Sequence, residues 1–481
     1  MNNKLIGRIK EKEILLGALA TEEAEMVSVI GRRRVGKTFL IRSVYKDAIC
    51  LEIEGIQNAP RKEQLKDFTA RLNRAAKPAK KIKTPTNWLD AFYLLIDYME
   101  SLEETSKKVV FFDELPWLAT HKSGFLRALG MFWNSWASRH NVVVVICGSA
   151  ASWMIQKVVN HKGGLHNRIT KRLHLKPFTL AETKYYLHSR GIIIDPYQIV
   201  QIYMAMGGVP HYLKEIKAGK SAMQNIQDIC FSETGLLQDE FLRLYPALFD
   251  NTENHIAIIR ALFEKKQGMT RDEVIKKAKL PSGGHVSKIL NELKYSGFIE
   301  TYHAFNKKKK DQLFRLTDEY SLFYLQFIED KIREGTDTWQ QLSQTKSYKS
   351  WSGYAYENVC LKHIPQIKKA LGISGVYSIS SSFLKKGTST EKDTQIDLLI
   401  DRNDHVINLF EIKFYNTTVS LDKNLADGLR EKLRIFQEST KTNKQIFWGL
   451  ITTFGLNPNQ HSIGLIQHVI GFGELFEDSK T

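Results

Sequence analysis

One stretch limits the fold more than any other: VSVIGRRRVGKTFLIRSVY, residues 27–45, sets a GxxxxGKT loop between an apolar strand and an amphipathic helix. Such a loop works at the carboxyl end of a strand in an open parallel sheet, where the following helix points its positive dipole end at the ligand. The fold class expected is therefore α/β. Gly31 and Gly36 let backbone N–H groups converge on phosphate oxygens, and Arg32, Arg33, Arg34 and Val35 fill the loop between them. Lys37 supplies a point charge for the β- and γ-phosphates, the Thr38 hydroxyl can ligate Mg²⁺, and Phe39 follows in the helix. The ligand expected is ATP with Mg²⁺. A glycine turn carrying a surface lysine is the competing reading, and the complete pattern in its strand-to-helix setting argues against it.

A hydrolase needs a second element, and KKVVFFDEL at residues 107–115 has its form. The apolar run VVFF makes a buried parallel strand that delivers Asp113 and Glu114 at its carboxyl end. Asp113 would hold Mg²⁺ through water, and Glu114 would orient the attacking water. Alone, an acidic pair closing a strand is as readily structural; downstream of a phosphate loop it reads as catalytic. After VVVVICGSA, Ser149 stands at the end of the strand beside that of Asp113, either sensing the γ-phosphate or capping the next turn. Arg168 precedes a short strand and could act as a finger on transition-state charge, within the chain or toward a neighbouring subunit; an ordinary surface arginine is the alternative.

With 481 residues the chain exceeds what one hydrophobic core serves, so about two to four domains are expected. An apolar content of 43% and a charged content of 25% suit a soluble globular protein, and no segment approaches the roughly 18 to 20 apolar residues of a membrane span. The start, MNNKLIGRIKEKE, has no apolar signal core, so a cytoplasmic location is expected. Cys50, Cys147, Cys230 and Cys360 lie far apart without CxxC or His-rich spacing, which indicates buried thiols and neither a zinc site nor a disulfide framework. A formal charge of +17 favours a polyanionic partner, because clustered Lys and Arg release counterions from phosphates.

Up to about residue 215, apolar runs alternate with amphipathic stretches, the signature of a mostly parallel sheet covered by helices, with strands near 26–31, 49–54, 108–112 and 142–147. Residues 58–87 read as a helix and then a mobile basic loop, either a polyanion contact or merely solvated. Residues 216–250 read as a helical connection. From His255 come three helices, the second with Thr270 as its cap, and then FIETYHAFNKKKKDQLFRLTD as a basic hairpin, which together spell a winged helix-turn-helix. Its third helix would expose His285, Ser287, Lys288, Asn291 and Lys294 beside the wing lysines Lys307, Lys308, Lys309 and Lys310, for contact with DNA. A protein–protein adaptor or a packing lid is the alternative.

A second constellation lies in QIDLLIDRNDHVINLFEIKFYN, where two apolar strands flank a turn and side chains alternate between faces. Asp397 is on the first strand. On the second, Glu411 and Lys413 share one face while Phe410, Ile412 and Phe414 take the other. Charges there are costly to bury unless paired or bound to metal. Asp397 and Glu411 can hold Mg²⁺ while Lys413 positions or deprotonates a water beside a phosphodiester, with Glu357 from SGYAYENVCLKHI as a further ligand. A half-exposed hairpin with a same-face contact of Glu411 and Lys413 fits the spacing as well.

Taken in order, LIGRIKEKEIL, VSVIGRRRVGKTFLI, VVFFDELPWLA, VICGSAASWM, LHNR, GGVPHYL, the winged helix and the terminal D…ExK region resemble, over nearly the whole chain, the archaeal-type ATPases of the AAA+/STAND group of P-loop proteins. These often carry a C-terminal domain with a restriction-endonuclease-like fold. The resemblance implies that Gly7 and Arg8, with Glu11 behind them, lie near the adenine. It makes Ser149 the first sensor and Arg168 a finger, and it assigns Gly207, Gly208 and Pro210 to a helical lid that senses nucleotide, without an evident sensor arginine. It matches Glu357, Asp397, Glu411 and Lys413 to the PD-(D/E)XK pattern, with Gln395 and Ile396 standing where a Pro would precede the Asp. The domains implied are a P-loop core at 1–175, a helical lid at 176–250, a winged helix-turn-helix at 251–325 and a nuclease-like domain at 326–481.

The function expected is an ATP-binding and hydrolysing switch that couples nucleotide state to nucleic-acid binding, DNA ahead of RNA, and to Mg²⁺-dependent cleavage. The alternative is a regulatory DNA- or protein-binding module whose nuclease-like domain is catalytically inert. Assembly into a homo-oligomer is compatible with both, and no membrane partner is expected.

Overall fold

The computed structural model describes residues 5–103, 106–159, 167–249, 251–306, 311–329, 338–387 and 393–477. Its residues group into two compact units: Met1–Pro177 with Asn291–Gly297, and Phe178–Leu290 with Phe298–Thr481. The expected wing lysines Lys307, Lys308, Lys309 and Lys310, and Leu165 and His166 of the LHNR segment, lie outside the described residues.

The first unit is built on five strands, β1 (Glu25–Ile30), β2 (Ile49–Glu54), β3 (Lys108–Asp113), β4 (Val142–Gly148) and β5 (Lys171–His174). They run in the order β2-β3-β4-β1-β5 with every neighbouring pair parallel. Parallel sheets are covered on both faces, which is why β1 and β4 are near-continuous apolar runs and are buried throughout. Alternate residues feed two cores. Val27, Val29, Val109, Phe111, Val143 and Val145 pack on one face with Leu15 of α1 (Ile9–Ala20) and Leu40 and Ile41 of α2 (Lys37–Val44). Met26, Val110, Phe112, Val144 and Ile146 pack on the other with α3 (Arg61–Ala76), α4 (Trp88–Glu100) and α5 (Phe125–Ser135). There the Trp88 and Phe125 rings meet edge to face at 4.7 Å. The loop after α3 is tied down: Asn73 accepts from the Ile82 N–H at 2.9 Å and donates to the Ile82 carbonyl at 3.2 Å, so the basic stretch expected to be mobile is pinned at its middle.

The second unit opens with α6 (Leu180–Ser189) and α7 (Pro196–Met206). Three further helices, α8 (Glu253–Glu264), α9 (Arg271–Lys277) and α10 (Gly284–Tyr295, of which the residues from Asn291 on group with the first unit), precede an antiparallel hairpin of β6 (Ile299–Tyr302) and β7 (Leu313–Leu316). Thr270 and Glu273 form a reciprocal capping box at the start of α9. After α11 (Lys346–Lys362) come β8 (Ser378–Lys385), β9 (Thr394–Arg402), β10 (Val406–Lys413), β11 (Val419–Ser420), α12 (Lys423–Thr440), β12 (Gln445–Thr452), β13 (Leu456–Asn457) and β14 (Ile466–Ile470). The main sheet runs β14-β12-β10-β9-β8, antiparallel across β8, β9 and β10 and parallel across β10, β12 and β14. Its core holds Phe383, Ile396, Leu409, Phe436 and Trp448, with α12 crossing over from β10 to β12. All four cysteines are free, and three are buried. Among the described residues no helix is long and apolar enough to cross a membrane.

Candidate functional site

The phosphate loop leaves β1 at Ile30 and enters α2 at Lys37. Arg34 at φ +73° and Gly36 at φ +90° turn the backbone through the left-handed region, which aims successive N–H groups into one concavity. A side chain at Gly31 would bring its Cβ within 2.4 Å of the Leu175 carbonyl oxygen, so only glycine lets the loop lie this close to the segment after β5. The Lys37 ammonium is buried and donates to the carbonyls of Gly31 at 2.9 Å and Arg32 at 3.0 Å. The loop thus holds its cation over the cradle where phosphate oxygens would replace those carbonyls. Phe39, on the first turn of α2, is 45% exposed.

The partners expected from β3 and β4 converge here. The Thr38 hydroxyl donates to Asp113 Oδ2 at 2.6 Å, so a hydroxyl and a carboxylate face one another at the carboxyl end of the sheet. Such hard oxygen donors, one carboxylate plus substrate phosphates, are what Mg²⁺ takes. Glu114 follows at φ +45°. Its carboxylate accepts from the Ser149 N–H at 3.1 Å and from the Ser149 hydroxyl at 2.8 and 3.0 Å. Ser149 therefore holds the acid that would orient water. From the N-terminal side, Arg8, buried and itself at φ +58°, donates to the Val35 carbonyl at 3.2 Å and lies 3.9 Å from Glu11. Gly7, at φ +65°, makes the turn that leads Arg8 onto the loop.

Arg168 lies elsewhere. It precedes β5, whose Lys171 pairs with Val27 near the start of β1, and the Thr170 N–H donates to the Met26 carbonyl at 2.9 Å. The phosphate loop follows the other end of β1, roughly 20 Å away at about 3.3 Å per residue. Arg168 instead lines a groove of about 930 Å³ with Glu22, Glu100, Trp136 and Arg139. Within one chain it lies far from the phosphate cradle.

In the second unit, the backbone places its own demands on Gly207, Gly208 and Pro210. Gly207 is at φ +67°, and a Cβ on it would meet a Glu319 carboxylate oxygen at 2.8 Å. A Cβ on Gly208 would sit 2.0 Å from the carbonyl oxygen of Phe178, a residue whose N–H donates to the Gly208 carbonyl at 2.6 Å. Pro210 opens a short helix, where its missing N–H costs nothing.

The C-terminal constellation assembles on β9, β10 and α11, but as an ion-pair network. Asp397 Oδ2 accepts the Ile412 N–H at 3.0 Å, which fixes it across the strand pair from Glu411. Burial, with Glu411 and Glu357 close by, pushes the Asp397 carboxyl up to about 8. Glu411 is buried and accepts from Lys413 at 2.8 Å and from Lys432 of α12 at 2.7 Å. Burial pushes the Glu411 carboxyl up, but the two ammonium groups outweigh it and hold it below its ordinary value. Glu357 is taken by Arg315 of β7 at 2.8 Å, while the same guanidinium donates to the Tyr354 hydroxyl at 3.1 Å and lies 4.6 Å from the Tyr354 ring centroid.

Among the described residues no group of three or more His, Cys, Asp or Glu side chains is gathered so that it could hold a metal ion. Glu357, Asp397 and Glu411 are neighbours, yet Glu357 is drawn to Arg315 and Glu411 to two lysines, so the carboxylates do not turn on one common point. In this arrangement Glu357 and Glu411 are each satisfied by the chain's own cations. Arg315 and Lys432 lie outside the D…ExK pattern, so the sequence does not single them out; a lysine on the helix after the second strand is the only signal it offers.

Residues 5–216 match a family described as an ATPase domain predominantly from Archaea. Over 453 residues the chain is 22% identical to an uncharacterized protein of Methanocaldococcus jannaschii, and the match covers 92% of each. Among solved structures it is similar to the Walker-type ATPase of Pyrococcus abyssi, with a TM-score of 0.49 and 19% identity over 67% of this chain and 97% of that one. It is also similar to the ORC2 protein of Aeropyrum pernix, with a TM-score of 0.42 and 15% identity over 76% of this chain and 98% of that one. The family match and the loop geometry agree: the first unit is a P-loop ATPase domain, and the chain is an ATPase.

Proposed function

We propose that this ATPase is a nucleotide-driven switch that couples its ATP state to the binding of nucleic acid. The observation that carries the reading is the meeting of Lys37, Thr38, Asp113, Glu114 and Ser149 at the carboxyl ends of β1, β3 and β4. Lys37 and the loop N–H groups hold the β- and γ-phosphates, and Thr38 and Asp113 hold Mg²⁺, which supplies charge neutralisation on the phosphates when bound. Ser149 gives up Glu114 when its hydroxyl turns to the γ-phosphate, and Glu114 then orients the water that attacks phosphorus. A new P–O bond forms to that water, the bond to the bridging oxygen breaks, and ADP leaves with phosphate. Arg168 acts on a neighbouring copy, and a homo-oligomer is the form in which it contributes.

The helices α8, α9 and α10 with the hairpin β6–β7 constitute a winged helix-turn-helix in this reading. His285 and Lys288 are exposed at the start of α10, and Arg271 braces that helix by donating to the Ser287 hydroxyl at 2.9 Å and to the Gly283 carbonyl at 2.7 Å. The formal charge of +17 supports a polyanion as its partner, DNA ahead of RNA. The sheet from β8 to β14 is a restriction-endonuclease-like domain in this reading, and the pairing of Glu357 and Glu411 with the chain's own cations favours binding over cleavage. The test is nucleic-acid affinity, by fluorescence anisotropy, with ATP, a non-hydrolysable analogue or ADP. Affinities that differ between the analogue and ADP support the switch; one affinity in all states overturns it. Metal-dependent cleavage abolished by Asp397→Ala and by Lys413→Ala would restore the nuclease reading.

A further inference from the structure

Glu114 sits at φ +45° and ψ +50°, the left-handed region that a residue with a side chain keeps only where its neighbours enforce it. Ser149 holds its carboxylate, while other residues hold the backbone beneath. The turn that carries Glu114 lies between two strand ends. On one side, a Cβ at Gly148 would meet Pro116 Cδ at 2.8 Å. On the other, a Cβ at Gly55 would sit 2.6 Å from the Glu114 carbonyl oxygen and 2.9 Å from Trp117 Cβ, and the Gly55 N–H donates to the Asp113 carbonyl at 3.0 Å. The segment after β2 thus rests directly on the backbone that presents Glu114.

Gln64, in the first turns of α3, fastens that segment to the turn. It is 3% exposed, and its amide is spent on two separate backbone stretches. Oε1 accepts from the Ile56 N–H at 3.1 Å, and Nε2 donates to the Ile56 carbonyl at 2.7 Å and to the Trp117 carbonyl at 3.1 Å. Trp117 belongs to the short helix Leu115–Leu118 that Glu114 opens, and its own N–H donates to the Glu114 carbonyl at 2.9 Å. A buried amide is costly unless its groups are met, and an apolar side chain would fill the same space without that demand. What glutamine adds is the tie between the two stretches.

We propose that Gln64 is a positioning residue for ATP hydrolysis, whose amide locks the turn after β3 in the left-handed conformation that aims the Glu114 carboxylate at the attacking water. This rests on the assignment of Glu114 as the group that orients that water. With both N–H donors spent on backbone, Gln64 acts through the turn and not on the substrate.

The test measures, on the full chain, kcat and KM for ATP, affinity for a fluorescent non-hydrolysable ATP analogue, and thermal unfolding. Gln64→Met keeps the length and drops all three hydrogen bonds. Gln64→Glu keeps the acceptor for Ile56 and sets a carboxylate against the two carbonyls; it serves as well where Gln64→Met does not fold. Both are expected to lower kcat about tenfold, with KM and analogue affinity within about twofold of the wild type, because Lys37 and Thr38 are untouched. Combined with Glu114→Gln, Gln64→Met is expected to change the residual turnover less than about twofold, since the group it aims is already gone. Thr69→Val removes a buried hydroxyl that donates to the Leu65 carbonyl at 2.7 Å on the same helix, and is expected to leave kcat unchanged. Wild-type kcat in the folded Gln64 variants overturns the positioning role and leaves the Glu114 assignment standing. A tenfold loss that persists in the Glu114→Gln chain, or that Thr69→Val reproduces, makes Gln64 a general support of the fold and overturns the role as well. Wild-type turnover in Glu114→Gln overturns both.

Discussion

His363 gives the sharpest quantitative prediction. Its ring is 1% exposed, Nδ1 lies 2.7 Å from the Val359 carbonyl, and Nε2 lies 3.0 Å from the Leu180 N–H at the start of α6. A carbonyl only accepts and an amide N–H only donates, so both bonds are made by the neutral ring with its proton on Nδ1. Protonation of Nε2 would set two donors against each other. Burial lowers the group from its ordinary 6.5 to about 4. Because the folded value is depressed, the unfolded chain takes the proton first as pH falls. The contribution is whole above pH 6.5 and is lost progressively down to about pH 4. At about 1.4 kcal/mol per pH unit, the full loss is about 3 kcal/mol. The assay is urea unfolding of the wild type and of His363→Gln, which cannot titrate, at about pH 7.5 and about pH 4.5. The stability advantage of the wild type should shrink by about 2 to 3 kcal/mol on acidification. Parallel pH profiles for the two chains would refute the reasoning.

Arg315→Met should cost up to about 3 kcal/mol, because it leaves the half-buried Glu357 without its closest counter-charge; adding Glu357→Gln should recover part of that loss in thermal unfolding. Gly31→Ala should abolish ATP turnover while the second unit stays folded, since its Cβ would be 2.4 Å from the Leu175 carbonyl oxygen; turnover near the wild-type rate would show that the loop adapts. Ser149→Ala should lower kcat by about one to two orders of magnitude with little change in KM, and Ser149→Thr should restore it, as steady-state kinetics will show.

How much of this is legible in the sequence depends on the separation of the partners along the chain. The cradle is readable because its parts are contiguous: Gly31 through Thr38 need only one turn, and Asp113 and Glu114 end one apolar run. Ser149 can be placed because β4 is apolar enough to be a central strand beside β3. The strand expected at 26–31 is β1, one residue earlier. The C-terminal charges are visible, but their partners are not. Arg315 is 42 positions from Glu357 and Lys432 is 21 from Glu411, and no local periodicity links such pairs. Face alternation alone therefore shows the carboxylates and not the cations that the fold brings to them. Arg168 is readable by kind and not by place, since only the register of Lys171 with Val27 assigns it to the far edge of the sheet. Gly207 and Gly208 resemble a nucleotide-sensing segment, and the backbone there adds a positive φ at Gly207 and a close approach of Phe178 to Gly208, which the sequence does not show.

Lys37 gripping the triphosphate and Glu114 directing water at it are the two roles on which everything else depends. Mg²⁺-dependent phosphate release from ATP by the wild type, Lys37→Ala and Glu114→Gln tests them most directly. Steady turnover is expected in the wild type, loss of nucleotide affinity in Lys37→Ala, and retained affinity with turnover at least about a hundredfold lower in Glu114→Gln. Equal turnover in all three would contradict both roles.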